Sequence, residues 1–161
     1  MSSSDRVPAH AVFTDPFHFL AFGFGAGLVP YAPGTAGTVA AIPIFIALNG
    51  VPVLVYLSIA AAMLLVGLWI CGRASVALGV HDHSGIVWDE IVGYLCAMAA
   101  APVGWRWLFG GFVLFRVFDI LKPWPANLVD RRLGGGAGIM LDDTVAGIYS
   151  LLAIQAIAWL F

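Results

Sequence analysis

Residues 53–71 read VLVYLSIAAAMLLVGLWIC, nineteen consecutive positions without a charge. A run of this kind can cross a bilayer as a helix, because a hydrocarbon core about 30 Å thick takes about 20 helical residues. On its N-terminal side Asn49-Gly50-Val51-Pro52 makes a turn, preceded by a shorter apolar segment at 39–48. On its C-terminal side, residues 72–87 are polar and loop-like, with Arg73, His81, Asp82 and His83. Apolar segments recur at 88–101 and 105–121, and a last one opens at Asp142 or Asp143 and runs to Phe161. The composition agrees: 61% hydrophobic, 10% charged, mean hydropathy +0.98. A soluble domain carries about 25% charged residues. The expected fold is therefore all-α, a multihelical integral-membrane bundle with short interfacial helices and a charged site on one membrane face. Segments 39–48 and 88–101 are short for a full crossing, so they tilt in from the interface or are buried by their neighbours. The composition also allows an apolar soluble helical domain that buries its surplus surface in a homo-oligomer.

The chain's 161 residues suit one domain, with 1–16 as a polar N-terminal tail and 17–161 as the domain. The N-terminus, MSSSDRVPAHAVFTDP, has no positive region leading into an apolar run, so no cleavable signal is expected. Thr14 or Asp15 can cap a short interfacial helix that starts at Pro16. A glycine- and proline-rich loop is expected at 23–38. A net charge of −2 provides no basic field for nucleic acid. Cys71 and Cys96 both sit in apolar runs, far from any C-x-x-C spacing, and read as small buried apolar residues.

Tracing the apolar segments as hairpins places the loops 23–38, 72–87 and 122–141 on one side. Asp89 and Glu90 then open the third segment, Asp119 closes the fourth, and Asp142 and Asp143 open the last. Gly34, Thr35, Thr38, Arg116, Lys122, Arg131 and Arg132 reach the same face, whereas the opposite turns carry only Arg106. The excess of Arg and Lys makes this face cytoplasmic.

Capping accounts for Asp89, Asp142 or Asp143 singly, but not for five carboxylates together, and Asp119 lies at the unfavourable end of its helix. Clustered carboxylates repel one another unless a cation neutralises them. An all-oxygen set suits a hard ion such as Mg²⁺, which keeps positions for water and phosphate oxygens. Metal ligands are expected among Asp89, Glu90, Asp142 and Asp143, with Asp119 or one of the other carboxylates orienting or deprotonating a water. The loop APGTAGT at 32–38 offers backbone amides, two hydroxyls and a following helix N-terminus, as a phosphate cradle does. The expected phosphate-side residues are Gly34, Thr35, Thr38, Arg116 and Lys122. Arg116 also stands three residues from Asp119, where it can pair with it. His81 and His83, two apart, read as loop residues rather than paired metal ligands.

Four blocks carry a resemblance: FGFGAGLVPYAPGTAGTVAAIP (22–43), VHDHSGIVWDE (80–90), FRVFDILKPWP (115–125) and GGAGIMLDDTVAG (135–147). In order and spacing they resemble the phosphatidylglycerophosphatase A family, from about Phe17 onward. The resemblance implies an all-helical protein of the bacterial inner membrane. It also implies Mg²⁺-dependent hydrolysis of phosphatidylglycerophosphate to phosphatidylglycerol and phosphate, with Asp89, Glu90, Asp119, Asp142 and Asp143 as the catalytic and metal positions. The partners are then the phospholipid substrate and membrane lipids, with a homo-oligomer left open. Other readings are a phosphatase for another phosphomonoester, and a membrane ion carrier or scaffold. A membrane phosphoalcohol transferase would show D-G-x-x-A-R, which is absent from the sequence.

Overall fold

The computed structural model describes residues 7–80 and 82–160, without the side chains of Asp130 and Arg131. His81 and the Arg131 side chain, both named above, lie outside the described residues. Helices make up the fold, and no strand occurs among the described residues.

Two short helices open the chain, α1 (Ala9–Thr14) and α2 (Pro16–Ala21). Helix α1 falls within the stretch expected to be a tail. The Asp15 carboxylate caps α2 as expected, accepting from the Phe17 amide at 2.8 Å, with Pro16 in the first helical position. That amide bond is the main reason the Asp15 carboxyl lies below its usual range. A 3₁₀ segment, Gly23–Leu28, leads to α3 (Pro33–Leu48).

The loop expected at 23–38 therefore ends early, because residues 33–38 are helical. Glycine has low helix propensity, yet here its lack of a side chain lets Gly34 and Gly37 bury the first turns of α3 against neighbouring elements. Helix α4 (Val53–Leu78) likewise extends past residue 72, so the expected polar loop shrinks to 79–87. Gly79 ends it in the left-handed conformation, its amide donating to the carbonyls of Ser75 and Val76.

Helix α5 (Trp88–Ala97) is the centre of the bundle, with Ile91, Val92, Tyr94, Leu95 and Ala97 fully buried. Its polar groups are tied to its neighbours. Trp88 donates to the Met63 carbonyl of α4 at 3.0 Å, and Tyr56 of α4 donates to the Leu95 carbonyl at 2.7 Å. Tyr94 donates to the Leu108 carbonyl of α6 (Trp105–Leu121) at 3.1 Å.

After the short α7 (Ala126–Arg132), helix α8 (Gly135–Leu160) packs along α4, α5 and α6. It begins well before Asp142, so the expectation that Asp142 or Asp143 opens the last helix is corrected. Both lie about two turns inside it. The reason is close contact: a Cβ on Gly136 would run into the Leu68 carbonyl of α4 and come within 2.9 Å of the Gly72 amide.

Helices α4 and α8 are long and apolar enough to cross a membrane. At 1.5 Å per residue, 26 residues extend about 39 Å. Helix α3 has 16 residues and α5 only 10, about 24 and 15 Å. The outer surface stays apolar: Leu54, Leu65, Val76, Ile120 and Leu152 are all more than half exposed.

Candidate active site

One end of the bundle gathers the start of α3, the 79–87 loop, the start of α5, the end of α6 and the third turn of α8. They enclose a cleft of about 330 Å³. Gly34, Asp89, Glu90, Arg116, Asp119, Lys122, Asp142 and Asp143 all line it. Residues spread over more than a hundred positions thus meet in one place, as the hairpin tracing expected.

Asp89 and Glu90 occupy the first turn of α5, and Asp143 faces them from α8. One carboxylate oxygen from each of the three lies within 4.8 Å of the others. The Asp89 and Asp143 residues are 8% and 3% exposed. Asp89 Oδ1, Glu90 Oε2 and Asp143 Oδ2 are buried with no hydrogen-bond partner. Two like charges at that separation repel by about 3 kcal/mol at an effective dielectric of ~20. Three carboxylates with buried, orphaned oxygens need either protons or a cation. The oxygen-only donor set fits a hard divalent ion and offers nothing for a soft one.

The two neighbouring cations are already engaged. Arg116 Nη1 lies 2.6 Å from Asp119 Oδ2 and 3.9 Å from Glu90 Oε1. It also reaches the Thr38 hydroxyl at 3.5 Å, and that hydroxyl donates to the Gly34 carbonyl at 2.9 Å. Lys122 Nζ lies 2.6 Å from Asp142 Oδ2. Asp142 is therefore tied to Lys122 and is not part of the three-residue cluster, although metal ligation was expected of it.

Thr35 and Thr38 are absent from the described lining of the cleft. Thr38 is completely buried behind Arg116, where it braces the guanidinium instead of facing a ligand. Gly34 does line the cleft, and it follows Pro33 in the first turn of α3, ahead of the first helical hydrogen bond from Ala36 to Ala32. His83 packs its ring against Phe22 and accepts from the Gly85 amide at 3.0 Å, which holds the loop's shape. Arg73 and Arg132 are likewise outside the lining.

Asp82 and Ser84 also line the cleft, although neither was expected among its residues. The signal lay in VHDHSG, where Asp82 stands between the two histidines and Ser84 follows them.

The family model of phosphatidylglycerophosphatase A matches residues 19–158. A phosphatidylglycerophosphatase A of Escherichia coli (strain K12) is 44% identical over 147 residues, 91% of this chain and 86% of that protein. A protein of the same name from Haemophilus influenzae is 44% identical over 150 residues, 90% of each chain. A Bacteroides thetaiotaomicron protein, named as a candidate phosphatidylinositol-3-phosphatase, is 38% identical over 145 residues, 85% of this chain and 90% of that protein. No solved structure matches. With the family model covering nearly the whole bundle and every carboxylate of the cleft inside the match, the chain belongs to the phosphatidylglycerophosphatase A family.

Proposed function

We propose that this phosphatase is a Mg²⁺-dependent, multi-pass enzyme of the bacterial inner membrane that hydrolyses phosphatidylglycerophosphate to phosphatidylglycerol and phosphate. The observation that carries the mechanism is the trio Asp89, Glu90 and Asp143, clustered with buried, orphaned oxygens beside Arg116. The names of the relatives from Escherichia coli and Haemophilus influenzae support the substrate.

Asp89, Glu90 and Asp143 would hold the ion. When bound, it offsets the negative charge of the carboxylates and of the phosphoryl oxygens. Arg116, braced by Asp119 and Thr38, directs its guanidinium toward the phosphate. Asp119 is committed to that ion pair, so its role is to position Arg116. A cluster carboxylate orients the attacking water and accepts its proton. The water oxygen bonds to phosphorus, the ester P–O bond breaks, and the glycerol oxygen leaves with a proton from the open side of the cleft. The other route is attack by a cluster carboxylate itself, with water then hydrolysing the aspartyl phosphate.

The apolar exterior of α3, α4, α6 and α8 supports membrane placement. Exposed Tyr31 and Trp124 flank the site end, while exposed Trp105 and Trp159 mark the far end, as interfacial aromatics do. The acyl chains would lie along this exterior, with the headgroup entering the cleft from the cytoplasmic face.

Phosphate release from phosphatidylglycerophosphate in detergent micelles tests the reading. Wild type, Asp89→Asn and Asp143→Asn are compared with Mg²⁺ and with chelator. Release that needs Mg²⁺ and falls ~10²–10⁴-fold in both folded variants is expected. Undiminished activity in chelator would sink the metal assignment, and a trapped phosphoenzyme would replace water attack with the aspartyl-phosphate route. The Bacteroides relative's name favours a second headgroup, so phosphatidylinositol 3-phosphate is a parallel substrate. Faster release from that lipid would reassign the headgroup while leaving the chemistry intact.

A further inference from the structure

A second recess lies away from the cleft, between α2 and the C-terminal part of α4. Its volume is about 330 Å³, and Asp15, Phe17, His18, Arg73, Val76 and Ala77 are among its walls. None of these lines the catalytic cleft.

Arg73 is the one charged residue in α4, a helix otherwise built from apolar and small residues. It is exposed, and its guanidinium stacks over the Phe17 ring at 4.1 Å and near the Trp69 ring at 5.7 Å. Stacking occupies the flat face of the guanidinium and leaves its N–H edge available for hydrogen bonds. Arg73 forms no ion pair among the described residues. The nearby carboxylate, Asp15, is already engaged by the Phe17 amide and by His18 Nδ1 at 3.0 Å. That contact leaves His18 Nε2 as a buried nitrogen with no hydrogen-bond partner. The recess therefore has an uncompensated cation held in a fixed orientation.

Leu65, Trp69 and Arg73 follow at intervals of four, so they share one face of α4. Leu65 is 66% exposed and Trp69 56%. An apolar stripe thus runs from the cation away from the site end of the helix. This is the shape and polarity of a phospholipid, charge at one end and chain along the other. We propose that this recess binds an anionic phospholipid, its phosphodiester on Arg73 and an acyl chain along Trp69 and Leu65. The lipid is separate from the one being hydrolysed, and it secures α2 against α4 at the membrane surface.

The test is a native mass-spectrometric titration of the purified protein in neutral detergent. Phosphatidylglycerol and phosphatidylcholine of identical chains are compared on wild type, Arg73→Gln and Arg73→Lys. Lipid entering the catalytic cleft adds equally to all three proteins, so the difference between variants isolates the recess. Phosphatidylglycerol binding weakened roughly tenfold in Arg73→Gln, with phosphatidylcholine unchanged, is expected from the loss of one charge-assisted phosphate contact. Arg73→Lys, which keeps the charge without the planar fork, should fall between the two. Equal phosphatidylglycerol binding by wild type and Arg73→Gln would overturn the proposal. So would equal affinity of the wild type for both lipids, or displacement of the lipid by millimolar inorganic phosphate. If Arg73→Gln unfolds, the Arg73→Lys comparison carries the same decision. Phosphate release in neutral micelles should be unchanged in the Arg73 variants, because Arg73 is outside the catalytic cleft.

Discussion

At the scale of single residues, the cleft depends on how closely a backbone can approach an ion pair. A Cβ added at Gly34 would collide with Glu90 Oε1 and come within 3.2 Å of both terminal nitrogens of Arg116. Those are ends of flexible side chains, so Gly34→Ala should leave the fold intact while displacing Glu90, a proposed ion ligand, and Arg116, the proposed phosphate contact. We expect kcat to fall about 10²-fold with little change in the thermal midpoint, since displacements near 1 Å cost rates of that order. An unchanged kcat would show that Glu90 and Arg116 tolerate the shift. Lys122 works differently. Its ammonium is a counter-charge of Asp142, whose side chain is 7% exposed. Lys122→Met keeps the apolar stem and removes that counter-charge from a buried carboxylate. A destabilisation of about 1–3 kcal/mol is expected, moderated because the Lys122 side chain is 30% exposed. Thermal unfolding in detergent measures it, and the additional Asp142→Asn change should restore much of the loss.

At the scale of elements, helix contacts decided where helices begin. Both glycine-rich stretches, PGTAGT at 33–38 and GGAG at 135–138, read locally as loops because glycine costs about 1 kcal/mol against alanine in a helix. In the folded chain both are helical, and glycine is what the packing needs. Gly136 sits where α8 meets the backbone of α4, against the Leu68 carbonyl. Gly136→Ala should force the two long helices apart and cost about 1–3 kcal/mol or more. Gly110 on α6 is the control, since a Cβ there meets nothing within 4 Å. Gly110→Ala should be neutral or stabilise by up to about 1 kcal/mol, through helix propensity alone. Parallel thermal unfolding of the pair checks the argument, and equal midpoints would refute the close-contact account of α8.

At the scale of the whole molecule, the bundle separates a charged end from an apolar body. Glu90, Asp119 and Asp142 come from α5, α6 and α8 to one end, while the far turns carry no charge apart from Arg106. Among the described residues only α4 and α8 have the length and apolar character to cross unaided, and α5 is enclosed by its neighbours. The proposed topology predicts the accessibility of single cysteines introduced into a Cys71→Ala, Cys96→Ala background. Val103→Cys, in the far turn, should react with an impermeant maleimide from outside the inner membrane. Trp124→Cys, beside the cleft, should react only after the membrane is opened. Labelling of both from outside would remove the cytoplasmic placement of the site.

Hydropathy, charge placement and the hairpin count were readable along the chain because each rests on local composition. Residues 53–71 marked a long apolar helix, and the distribution of Asp89, Glu90, Asp119, Asp142 and Asp143 among helix ends pointed to one charged face. The starts of α3 and α8 were not readable, because propensity penalises glycine wherever it stands, and only the partner helix shows why it is needed. The same holds within the cleft. Sequence spacing identified five acidic residues but could not divide them. Tertiary structure set Asp119 on Arg116 and Asp142 on Lys122, leaving Asp89, Glu90 and Asp143 together. Which carboxylates meet a cationic side chain is decided by the packing of α5, α6 and α8, elements far apart in the chain, and short-range electrostatics acts only once that packing exists.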